Sequence, residues 1–189
     1  MNAAERLAVP LLLLAGCAAS PRWQGDVGEA LQAARAAERD LVVYFALPGR
    51  EASDRMQQSL QDPAVLAALR DGGYHAVIND GQRSADLYLY AAWIGGVEGM
   101  GIAVLDGFSR CYAARPGPQD PPELAAFLRR CAAARPQLVA LRGALAQPAV
   151  APLDQHALGC LLLELGCRIE CEGPLRAAAA AGVADARHR

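Results

Sequence analysis

"LVVYFALPGREASDRM", residues 41–56, is the stretch that decides the fold. Leu41 to Ala46 form an apolar, β-branched and aromatic run of strand length without polar alternation. Such a run fits a central strand covered on both faces. Pro48-Gly49 is a turn signal, because proline presets φ and glycine accepts positive φ. Glu51 to Leu60 then reads as a helix. A buried strand, a tight corner and a helix are the opening of an α/β layer structure.

Working outward, residues 26–39 predict a helix with Asp26 as N-cap and Glu29 three positions on, as in a capping box. Val27, Leu31, Ala34 and Ala37 give it an apolar face. Asp62-Pro63 restarts a helix after the corner, with Asp62 at the N-cap and Pro63 at N1, and Gly72-Gly73 ends it. "YHAVIND" (74–80) is a strand and residues 83–93 a helix. "GIAVLD" (101–106) and "SRCYAA" (109–114) are strands joined by the Gly107-Phe108 connection, an antiparallel hairpin. "PPELAAFLRRCAAA" (121–134) is a helix opened by prolines.

This order is an α/β sandwich with a mixed sheet, and over residues 26–134 it resembles the thioredoxin fold. "LQDPAVLAAL", with Met56 ahead of it, is similar to thioredoxin-like proteins in which D-P-x-V follows the active-site helix after C-x-x-M. "AVLDGFSR" is similar to that family's hairpin. The resemblance implies disulfide exchange. That chemistry needs a thiolate at a helix N-terminus and a second cysteine one turn along. Counting from Met56, the two cysteine positions fall on Arg50 and Ser53. Arginine is no nucleophile, and Ser53 has no base near it in sequence, so its expected role is capping. The family also places a cis-proline before the third strand. Here Met100 holds that place, and no proline occurs from Val65 to Arg115. With both hallmarks missing, no catalytic residue is expected. The groove that binds extended polypeptide in thioredoxin folds maps to Pro48, Gly49, Arg50, Ser53, Glu98 and Met100.

The N-terminus carries a separate signal. "MNAAERLAVPLLLLAGCAAS" has an apolar stretch from Leu7 to Leu14, too short to span a bilayer, followed by small residues. "LAGC" (14–17) resembles the lipobox of bacterial lipoproteins. The resemblance implies a signal peptide over 1–16, a lipid anchor on Cys17 and a tether over 17–25. Ala18 rather than Asp favours the outer membrane, facing the periplasm. The alternative is an ordinary secretory signal with a chance cysteine.

The chain of 189 residues has room for one ordinary domain and an appendage. It is 53% apolar by composition, enough for a core, and its net charge of −2 does not favour nucleic acid. All 18 basic residues are arginine, which fits the composition of a GC-rich coding sequence. Beyond residue 134 the chain becomes Ala/Leu-rich. Helices over about 153–165 and 169–181, separated by Gly166, resemble a degenerate tetratricopeptide hairpin, with Pro174 against the match. One hairpin cannot bury its own face, so it needs a neighbour, in cis or on a partner.

Cys111, Cys131, Cys160, Cys167 and Cys171 remain besides Cys17. They fit small buried hydrophobes or structural disulfides of an exported protein. A bridge between the tail helices, from Cys160 to Cys171 or Cys167, is one such pairing. His156 with the tail cysteines matches no paired C-x-x-C framework, so neither a metal nor a cofactor is expected. The sequence thus predicts a lipid-anchored, redox-inactive thioredoxin-like module that binds a peptide or protein. Two alternatives stand beside it: an oxidoreductase working through Cys111 or a tail cysteine, and an assembly module acting through the tail hairpin.

Overall fold

Asp26 caps the first helix as the sequence predicts, its carboxylate accepting the Glu29 N–H at 2.8 Å. The computed structural model describes residues 23–24, 26–80, 84–95, 99–147 and 150–183. The segment read as a signal peptide (1–16), Cys17, the start of the expected tether and Glu98 lie outside the described residues. The elements are β1 (Trp23–Gln24), α1 (Val27–Ala36), β2 (Leu41–Phe45), α2 (Glu51–Ser59), α3 (Pro63–Asp71) and β3 (His75–Asn79). They continue with α4 (Ser84–Trp93), β4 (Gly101–Leu105), β5 (Cys111–Pro116), α5 (Pro121–Leu145), α6 (Pro152–Glu164) and α7 (Arg168–Ala180). No helix among the described residues is long and apolar enough to cross a membrane.

The strands form one sheet in the order β1-β3-β2-β4-β5. β1, β3 and β2 run parallel, and β4 and β5 antiparallel. Every residue of β2 is buried, as its unbroken apolar run requires. Neighbouring side chains on a strand point to opposite faces. Tyr44 meets α2 and Phe45 meets α4, so those helices cover opposite sides of the sheet. The result is a thioredoxin-like α/β sandwich with a C-terminal helical extension.

β5 contains a bulge. Val104 pairs with Ala113 and Leu105 with Cys111, which leaves Tyr112 as the extra residue. A bulge re-aims the side chain it carries. Here the Tyr112 hydroxyl donates to Asp40 Oδ2 at 2.6 Å, and Arg135 Nε donates to the same oxygen at 2.7 Å. Arg135 also bonds the Gly72 carbonyl at 3.1 Å and lies over the Tyr74 ring.

This explains a difference from the sequence reading. The helix expected to stop at residue 134 runs on to Leu145, through Pro136. A proline inside a helix removes one backbone bond. What holds α5 beyond it is tertiary: Arg135 on Asp40, Leu138 in the core, and Arg142 on Asp106. The composition change at 134 therefore falls inside an element, not between two.

The tail helices form where the sequence predicts, α6 and α7 meeting at Gly166. They dock in cis. The outward N–H of Ala114 on the edge strand β5 donates to the Leu165 carbonyl at 3.2 Å. Gly166 has φ +82°, and a Cβ there would sit 2.4 Å from the Ala114 carbonyl oxygen. Only glycine allows this approach.

Two outcomes follow. Arg135→Met keeps the apolar stem but leaves the buried Asp40 carboxylate without its cation, and should cost about 2–3 kcal/mol in urea unfolding. Gly166→Ala should undock the hairpin, read as fast amide exchange at Ala114 while the β2 amides stay protected.

Candidate functional site

The corner after β2 carries most of the residues that the sequence places at a groove. Leu47 leaves the strand, Pro48-Gly49 turns with Gly49 at φ +78°, and Arg50 is the N-cap of α2 without a side-chain cap bond. Pro48, Gly49 and Arg50 are exposed. The β2–β4 register sets Phe45 opposite Gly101, so Met100 flanks the end of β2 beside this corner. The half-buried Met100 accepts the Tyr90 hydroxyl at 3.2 Å and the Gly117 N–H at 2.9 Å through its carbonyl. Tyr90 in turn stacks edge-on against Phe45 at 5.4 Å.

Ser53 corrects an expectation. It is fully buried and so does not line the groove. Its Oγ accepts the Leu47 N–H at 3.0 Å and lies 2.9 Å from the Tyr44 hydroxyl. It is the third residue of α2, not its N-cap. Its hydroxyl ties helix, corner and strand together. The Tyr44 phenol is itself pushed up by burial, which keeps it a neutral donor. The structure therefore assembles Pro48, Gly49, Arg50 and Met100 at one end of the sheet, and sets Ser53 beneath them.

The opposite end of the sheet holds a cleft of about 690 Å³ lined by Arg35, Asp40, Asp106, Phe108, Arg135 and Arg142, among others. Its arginines are already engaged. Arg35 donates to the Gly107 carbonyl, Arg135 to Asp40, and Arg142 and Arg110 to Asp106. This end is a salt-bridged seam holding α5 to the sheet.

The cysteines fit the expected small buried hydrophobes, four of the five being buried. All five described are free thiols. Cys160 and Cys171 do not pair: Cys160 Sγ lies 3.7 Å from the His156 ring, and Cys171 Sγ donates to the Arg168 carbonyl at 3.1 Å. Among the described residues no cluster of three His, Cys, Asp or Glu side chains is grouped to hold a metal ion. Cys131 is buried on α5, and burial pushes its thiol up to about 12. The alternative nucleophile Cys111 is completely covered.

What the sequence reading missed is that Cys111 faces Cys167. Both are fully buried, at the start of β5 and the N-cap of α7. A hydrogen bond between the two thiols, together with burial, holds Cys111 well above the usual thiol range. The same bond lowers Cys167, helped by the Glu170 amide and Arg142 against the effect of burial. The two residues lie far apart in sequence and no local motif links them. The one signal was Gly166 beside Cys167, a glycine that permits close backbone approach.

No family model and no curated protein matches the chain. Among solved structures, the crystal structure of a disulphide isomerase from Xylella fastidiosa Temecula1 is similar. The identity is 14%, over 56% of this chain and 87% of that one, with a TM-score of 0.45.

The role of Ser53 can be measured. Ser53→Ala leaves the Leu47 N–H without its acceptor and the Tyr44 hydroxyl with only its longer bond to the Ser53 carbonyl. It should destabilise the fold by about 1–3 kcal/mol in chemical denaturation.

Proposed function

We propose that this chain is a thioredoxin-like binding module without redox catalysis at its corner. It is exported and held at the cell envelope by lipid on Cys17, and it takes an extended polypeptide at Pro48, Gly49, Arg50 and Met100. The observation that carries the reading is Ser53: the position of a resolving cysteine is filled by a buried hydroxyl that bonds the corner backbone. A rigid, exposed corner beside the Met100 edge is retained while the nucleophile is not. Arg50 sets a positive charge at the start of α2, where the helix dipole is also positive, so acidic polypeptide is favoured.

Two measurements test this. The full chain should not accelerate insulin reduction by dithiothreitol, and any acceleration lost in a single Cys→Ser variant would favour the oxidoreductase alternative. A labelled, reduced and alkylated insulin B chain should bind, with Arg50→Glu weakening it several-fold at unchanged melting temperature. Unaltered affinity would remove the corner from the binding site. For the anchor, labelled fatty acid should be incorporated by the native chain and not by Cys17→Ala.

A further inference from the structure

We propose that Cys111 and Cys167 are a modification site, a disulfide that staples the C-terminal hairpin to the edge of the sheet. The idea is independent of peptide binding at the corner. It starts from backbone geometry. The α6–α7 turn meets β5 through the Ala114–Leu165 hydrogen bond, and Gly166 lets the two backbones approach more closely than any side chain permits. Cys167 follows that glycine directly, and Cys111 opens the strand it rests on. Both residues are fully buried, and their thiols interact. Cys111 Sγ reaches the Trp93 carbonyl at the end of α4 at 3.5 Å, and Ile169 packs on Gly95 just beyond. Arg142 donates to the Cys111 carbonyl at 3.4 Å, so α5 closes the site from another side.

Neither Cys131, Cys160 nor Cys171 occupies such a position. Cys131 is enclosed within α5, and the two others are engaged with His156 and the Arg168 carbonyl. The pairing leaves Cys131, Cys160 and Cys171 as thiols.

The oxidant is a disulfide, small or carried by a protein. With the hairpin undocked, the Cys167 thiolate attacks one sulfur of R–S–S–R, giving Cys167–S–S–R and one thiolate RS⁻. Docking then brings Cys111 to the mixed disulfide. Cys111 loses its proton, attacks Cys167 Sγ and expels the second RS⁻. Two electrons pass to the oxidant, and the two thiol protons leave with two RSH. The bond closes a loop of about 56 residues, a length at which cross-linking strongly restricts the unfolded chain.

The test needs no variant to begin. The full chain is reduced, unfolded, and refolded with mixed oxidised and reduced glutathione. It is then quenched with iodoacetamide under denaturing conditions and mapped by peptide mass spectrometry. Expected is a peptide pair joined through Cys111 and Cys167, with Cys131, Cys160 and Cys171 alkylated. Alkylated Cys111 and Cys167, a stable glutathione adduct on Cys167, or a bridge from either to another cysteine overturns the proposal. In a second arm, dithiothreitol should lower the melting temperature of the oxidised chain by roughly 5–10 °C. The same reductant should leave Cys167→Ala and Cys111→Ala unmoved. A wild-type melting temperature indifferent to reductant also overturns it.

Discussion

The carboxylate of Asp40 is the point on which the structure turns. It sits between α1 and β2, 7% exposed. A charge so placed is costly unless it is paired and fully hydrogen-bonded. Its partners come from the far end of the chain: Tyr112 from the last strand and Arg135 from the middle of α5. Arg135 extends the connection to Gly72 and the Tyr74 ring, and the Tyr74 hydroxyl returns it to the Leu128 carbonyl. Burial raises the Tyr112 phenol far above its usual range, so it stays a donor to the carboxylate. One buried anion thus fixes the relative positions of the first strand after α1, the bulged edge strand and the longest helix.

That dependence explains which parts of the chain were legible. Asp26, Pro63 and the unbroken run 41–46 act locally, through caps, fixed φ and burial on both faces, and each appears where it was read. The thioredoxin-like order followed from them. The end of α5 did not, because Pro136 is a local stop signal and the bonds that override it are long-range. Ser53 was legible as a substitution and not as a buried anchor, since its partners Tyr44 and Leu47 are defined only once the corner has folded. The Cys111–Cys167 contact was invisible for the same reason. It is made by docking, and Cys160 and Cys171, nearer each other in sequence, looked the better pair.

The corner and the facing thiols lie in different parts of this protein. At the corner the Ser53 and Tyr44 hydroxyls tie strand, turn and helix start together. The pair of facing thiols lies instead where the helical extension meets the sheet. Both thiols are fully buried there, with the Trp93 carbonyl and Arg142 against Cys111, and their consequences are architectural. The two ends of the sheet also differ in character. The corner presents Pro48, Gly49 and Arg50 to solvent, whereas the other end is closed by arginine–aspartate pairs between α5 and the loops below the strands.

The docked turn has one more effect, on how copies of the molecule meet. A sheet grows by strand addition through unpaired edge amides. Here the outward amide of Ala114 on β5 is occupied by a carbonyl from a segment that is not a strand and cannot propagate a ladder. Among the described residues the other edge is β1, two residues long. At Ala114, then, a strand from a second copy finds no free amide to pair with. The C-terminal hairpin thereby covers one point of the edge at which strand addition would otherwise begin.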